Sequence, residues 1–299
     1  MNYTKPPLSI TDQISKLKLR GLTFSDETKA AHYLSNISYY RLRSYTFPFQ
    51  DNNDPAHPFN YKISFEEIIQ LYVFDRKLRL LVFNAIEKIE VALRTKIVHE
   101  FSMTFGSHWY EDGNMYRDNY HFNRNIATLY DEINRSTETF IHHYKHTYTT
   151  PVNPPAWMSL EVVSMGLLSK LFSNLKKVPE KKRVTAEFGL TNPVILESWM
   201  HAFANLRNIC AHHSRLWNRR FTISPQLPYN TIYPFLNNRD LHTNKLYAQL
   251  CCINYISTII SPGNSFVKNL SDLLQTCPLL DLNEMGFPAD WKTETIWTR

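Results

Sequence analysis

Between Ser64 and Phe105 the chain contains neither proline nor glycine. Within that stretch Phe74, Leu78, Leu81, Ala85 and Ile89 follow one another at helical spacing, which marks one apolar face of a helix. Ser64-Phe65-Glu66-Glu67 reads as a capping box at its start. A single helix of about 40 residues would extend ~60 Å, so the fold has to be built around it. Glycine makes up only 7 of 299 residues, about 2% against a usual ~7%. That scarcity argues against glycine-rich phosphate loops, tight-hairpin β folds and flexible linkers. The fold class expected is all-α, a helical bundle with additional N-terminal helices.

Ser9-Ile10-Thr11-Asp12 reads as a second capping box, with Gly21 in the C′ position of the helix that follows, and Ser25 as the cap of a short second helix. Residues 51–60 read as a loop. Further helices are expected over 121–147, 157–176, 179–188, 193–217, 243–260 and 264–276, with an irregular proline-rich stretch at 222–235. Pro151, Pro154 and Pro155 suggest a boundary. They divide the chain into an N-terminal helical region (1–150), a second helical region (151–280) and a tail (281–299). Cys210, Cys251, Cys252 and Cys277 form no C-x-x-C pair and read as small core hydrophobes in a reduced compartment. No run of ~20 apolar residues offers a membrane span, and MNYTKPPLSI has no apolar signal core. The expectation is a cytoplasmic protein that does not associate with membranes.

Charge is unevenly placed. The chain carries a net charge of +6. Residues 170–220 hold ten cations (Lys170, Lys176, Lys177, Lys181, Lys182, Arg183, Arg207, Arg215, Arg219 and Arg220) against Glu180, Glu187 and Glu197. That segment is therefore strongly basic and the rest of the chain about neutral. A localised positive patch suits a phosphate backbone, although a solvated basic surface would look the same.

The most informative stretch is LESWMHAFANLRNICAHHSRLWNRR, residues 196–220. Trp199, Phe203, Leu206 and Cys210 form one apolar face. Asn208, His212, Arg215 and Arg219 repeat the spacing on the opposite face, with Arg207 about 100° from Asn208. Imidazole titrates near neutral pH and can carry protons. Guanidinium matches phosphate oxygens with a bidentate fork. Together they suit metal-free cleavage of RNA, in which the 2′-OH attacks the adjacent phosphate. They also suit a phosphate-binding face without catalysis.

Arg207-Asn208-Ile209-Cys210-Ala211-His212 matches the R-x(4–6)-H motif of HEPN ribonucleases in its R-N-x-x-x-H form. With KPPLSITDQISKLKLRGL, YYRLRSY, FDRKLRLLVFNAIEKIEVALR and WMSLEVVSMGLLSKLF in the same order, the chain resembles the Abi-like (AbiD/AbiF-type) abortive-infection proteins over about residues 5–260. The resemblance implies a HEPN-type domain and a metal-independent endoribonuclease acting as a homodimer, a toxin in phage defence without a cofactor. It implies that Arg207 polarises the scissile phosphate, that His212 acts as acid or base, and that Asn208 orients His212. His213 satisfies the same pattern. His212 is preferred because it shares a face with Asn208 and Arg215. A bound noncoding RNA is an expected controlling partner, and no DNA is expected. The alternative is a non-catalytic module that holds a structured noncoding RNA.

Other signals are weaker. Arg94 and His99 also satisfy R-x(4)-H but lack the Asn after Arg, and an ordinary Glu90–Arg94 pair at i, i+4 is the preferred reading of the arginine; the other reading would give a second half-site, as in the two-motif type VI CRISPR effectors. Arg41 and Arg43, interleaved with Tyr39, Tyr40 and Tyr45, suit single-stranded RNA through stacking and phosphate contacts. Lys181, Lys182 and Arg183 form a basic run that joins Arg215, Arg219 and Arg220 as candidate RNA contacts. His142, His143 and His146 have the spacing of helical metal ligands, but no metal site is expected there.

Overall fold

The computed structural model describes Asn2 and residues 6–298. Among these residues there is no strand, only four isolated bridges. The α-helices are α1 (Ile10–Leu19), α2 (Glu27–Ile37), α3 (Tyr39–Thr46), α4 (Phe65–Phe105), α5 (Asn119–Arg135) and α6 (Thr139–Thr147). They continue as α7 (Ala156–Ser159), α8 (Met165–Asn174), α9 (Pro179–Glu187), α10 (Pro193–Ala211), α11 (Leu246–Ile260) and α12 (Phe266–Leu274). The all-α expectation is met. None of these helices is long and apolar enough to cross a membrane.

Two compact units divide the chain: the residues up to Arg79 with Leu270–Asp281, and Leu80–Asn269 with Leu282–Arg299. The proline-rich segment at 151–155 lies inside the second unit. It does not separate one core from another there, since Tyr110 donates to the Pro154 carbonyl at 2.6 Å and the Ala156 N–H reaches Ser107 O at 2.8 Å.

In the first unit, the caps read from sequence are mostly realised. Ser9 accepts from the Asp12 N–H at 3.1 Å. Gly21 takes φ +97, with its N–H on Lys18 O and the next N–H on Leu17 O, the left-handed closure that glycine adopts without steric cost. Ser64 and Glu67 cap α4 reciprocally, each accepting from the other's N–H at 2.8 and 3.2 Å. Asp26, not Ser25, caps α2, because Ser25 is held by Glu66 at 2.6 Å. Tyr45, 1% exposed, donates to Asp75 at 2.6 Å, and Arg79 donates to both. Desolvation and the adjacent carboxylate hold the Tyr45 phenol far above its ordinary pKa. The Tyr45 ring is therefore a core group and offers no surface for base stacking.

In the second unit, α10 packs on α8, α9 and α11, and α8 also packs on α5. Two expected helices are split. The stretch 121–147 breaks at Ser136, whose backbone is extended, and 157–176 breaks after Ser159. The four cysteines are buried, and burial pushes the Cys251, Cys252 and Cys277 thiols up. The tail is tied down by Trp297, which donates to Tyr247 at 3.0 Å. Glu294 receives the N–H groups of Asn237 and Asn238 at 2.6 and 3.0 Å.

Candidate active site

Asn192 caps α10 by accepting from the Val194 N–H at 3.0 Å, with Pro193 in the first turn. The apolar stripe is buried as expected: Trp199, Phe203 and Leu206 at 0% exposure and Cys210 at 5%. The helix stops earlier than expected, at Ala211. His212 is the C-cap (φ −85, ψ 11), and His213 takes the left-handed C′ position at φ 56. The His213 N–H reaches Cys210 O and the Ser214 N–H reaches Ile209 O, both at 3.0 Å, which is the Schellman closure. The reason lies in the pattern. The next positions of the apolar stripe are His213 and Ser214, so another turn would bury nothing. The chain instead turns so that Leu216 and Trp217 enter the core, 0% and 2% exposed.

That early end changes the expected polar stripe. Asn208 and His212 remain together on an exposed face, with the His212 N–H on the Asn208 carbonyl at 2.9 Å. Among the described residues no hydrogen bond joins the Asn208 amide to the His212 ring. Arg215 and Arg219 lie beyond the helix. The Arg215 guanidinium sits 5.7 Å from the Trp217 ring centre, and Arg219 donates to the Arg215 carbonyl at 3.2 Å. Arg220 is exposed. The shared helical face with Arg215, on which the preference for His212 over His213 rests, does not exist.

Arg207 is half-exposed on α10. It lies 5.7 Å from the Phe83 ring centre and 3.9 Å from a Glu90 carboxylate oxygen. Arg94 holds the other Glu90 oxygen at 3.0 Å. The two motif arginines therefore converge on one carboxylate of α4, and both line a cavity of about 770 Å³. Glu132, Arg135, Glu138 and Glu161 also line it, so its charge is mixed. Sequence reasoning names Glu90 only as the partner of Arg94. Its approach to Arg207 links residues far apart in the chain and leaves no local signal.

Arg94 is 8% exposed and donates to the carbonyls of Glu161 and Val163 at 3.1 and 2.9 Å. It ties the segment before α8 to α4, while His99 is exposed. Lys181 is a correction to the basic patch, being fully buried. Its ammonium pairs with Glu197 at 2.7 Å, donates to Leu175 O at 2.8 Å and lies 5.0 Å from the Phe172 ring centre. Loss of hydration pushes its pKa down to about 8, against the raising effect of Glu197. Arg183 is about half-exposed and engaged by Glu100 and Glu180 at 2.7 and 2.9 Å. Lys182 is exposed. Arg41 is exposed and Arg43 half-exposed on α3, in the other unit.

Fold and site together define an all-α protein that carries an Arg-Asn-x-x-x-His segment at the C-terminal end of a core helix. The model of the family described as Abi-like protein matches residues 32–218, well over half the chain, and the chain belongs to that family. Membership points to abortive-infection defence against phage. No curated protein and no solved structure matches the chain.

Proposed function

We propose that this protein is a metal-independent HEPN endoribonuclease that acts as a toxin in abortive infection, under the control of a bound noncoding RNA. The observation that carries the reading is the end of α10. Arg207 opens to a cavity there, and an exposed Asn208 and His212 follow within two turns, inside the segment matched by the family. Arg207 neutralises a non-bridging oxygen of the scissile phosphate. An imidazole takes the 2′-OH proton as the 2′-oxygen bonds to phosphorus. The P–O5′ bond breaks, and the leaving 5′-oxygen takes a proton from a second imidazole or from water. The products are a 2′,3′-cyclic phosphate and a 5′-OH. Arg207 and His212 are five residues apart, about 140° around the helix axis. Two copies face to face supply a general base and a general acid to one phosphate more readily than a single helix does, hence a homodimer.

The test is RNA cleavage in EDTA by wild type, Arg207→Ala, His212→Ala and His213→Ala, with RNA affinity measured alongside. Loss of cleavage with retained binding in Arg207→Ala and in one histidine variant supports the enzyme. It also identifies the histidine, since both rings are exposed and the helix end offers no geometric preference. Binding by a wild type that never cuts, even after any co-purified RNA is stripped, supports the RNA-holding module instead.

A further inference from the structure

A second cavity, of about 420 Å³, lies where α5, α8 and α10 meet. Its charged lining is Arg117, Arg124 and Lys170 with His121 and His201, and no carboxylate lines it. Arg117 is committed to the scaffold, donating to the Ser173 carbonyl and lying 3.4 Å from Glu197. The others are not. Arg124, Lys170, His121 and His201 are exposed, and among the described residues none has an ion pair or side-chain hydrogen bond. Beneath them, Asn125 is 8% exposed and Ser169 3%. Neither side chain has a hydrogen-bond partner among the described residues, and both line this cavity. Their polar atoms are open to the cavity, so whatever fills it, water or an anion, can bond to them. A cationic rim over an unpartnered amide and hydroxyl is the chemistry of an oxyanion site.

The cavity is also in register with the end of α10. His201 and His212 are eleven residues apart, which places them about 20° apart around the axis and ~16 Å apart along it. Asn205 and Asn208 fall between them on the same face. A strand lying along this face reaches the cavity a few nucleotides from the bond to be cut.

We propose that this cavity is a second phosphate subsite for single-stranded RNA, holding a backbone phosphate remote from the scissile one through Arg124, Lys170 and the Asn125 amide. The proposal rests on the RNA-cleaving reading and extends it to how the substrate is gripped.

The test uses the full-length protein and fluorescein-labelled 2′-O-methyl RNA, which cannot be cut through its 2′ position, as a 12-mer and as a 3-mer. Affinity is measured by anisotropy over a range of salt concentrations for wild type, Arg124→Ala, Lys170→Ala, the double variant and a Lys268→Ala control. The double variant is expected to bind the 12-mer roughly tenfold more weakly at physiological salt. Its plot of log affinity against log salt should be shallower by about 0.7, the contribution of one single-strand phosphate contact. Binding of the 3-mer, and 12-mer binding by Lys268→Ala, should stay within twofold of wild type. Wild-type binding of the 12-mer with an unchanged double variant overturns the subsite and leaves the RNA reading standing. A wild type that binds neither RNA overturns both. The two cations are exposed and bind no protein group, and an unchanged melting temperature confirms that the variants report on binding.

Discussion

Lys181→Ala should unfold the second unit at a lower temperature, although the residue sits in a lysine-rich run. In the folded chain its ammonium holds Glu197 on α10 and the Leu175 carbonyl at the end of α8. Truncation leaves Glu197, itself only 14% exposed, with the longer Arg117 contact at 3.4 Å, and it opens a void beside Phe172. Removing one partner of a buried ion pair typically costs 3–5 kcal/mol. The remaining Arg117 contact argues for the lower end, about 3 kcal/mol. For a unit of this size that lowers Tm by ~6–12 °C. Lys182→Ala, an exposed neighbour, should stay within about 0.5 kcal/mol. Thermal unfolding followed by circular dichroism separates the two, with RNA affinity measured in parallel. A Lys181→Ala variant that melts with wild type yet binds RNA more weakly would refute the burial and return Lys181 to the RNA surface.

The same lysine sets a pH dependence. Its folded pKa is near 8, against about 10.4 when unfolded, so between those values the unfolded chain binds more protons. Stability then rises with pH across that window, and wild type should gain on Lys181→Met between pH 8 and 9.5; a constant difference would contradict the shift. Asp75→Ala strips Tyr45 and Arg79 of their buried acceptor and should destabilise the first unit by about 3–5 kcal/mol, seen as an earlier urea transition. Gly189→Ala should cost more than about 2 kcal/mol, because Gly189 has φ +72 and an added Cβ would lie 2.6 Å from the Tyr255 hydroxyl and 2.7 Å from Ile259 Cδ1. Arg94→Ala should lower Tm, since two carbonyls lose their donor. His99→Ala should leave Tm and cleavage within error, and a cleavage defect in His99→Ala with Tm unchanged would restore the second half-site.

Some of this is legible in the sequence. The uninterrupted run to Phe105, opened by a capping box, forms one 41-residue helix. The stripe from Trp199 to Cys210 is buried as its spacing implies. The end of α10 is hidden because a histidine occupies the left-handed C′ position where glycine would have marked it. Without that mark, the polar spacing runs on to Arg215 and Arg219. Composition misleads at Lys181, since a run of three cations resembles a solvated face. Its spacing holds the signal: Lys181 falls in line with Val184, Thr185 and Phe188, all buried. The convergence of Arg94 and Arg207 on Glu90 is not readable. The same holds for the cavity between α5, α8 and α10. Both join segments whose approach is set by helix packing, and packing leaves no trace in local spacing.

The central claim is most directly tested by one comparison in EDTA: an RNA oligonucleotide and its all-deoxy counterpart, each incubated with wild type and with the His212→Ala, His213→Ala double variant, with product ends determined by mass spectrometry. The account predicts that wild type cuts the RNA alone, leaving 2′,3′-cyclic phosphate and 5′-OH ends, and that the folded double variant cuts neither. Cleavage of the deoxy strand, dependence on a divalent metal, or an unimpaired double variant would contradict it.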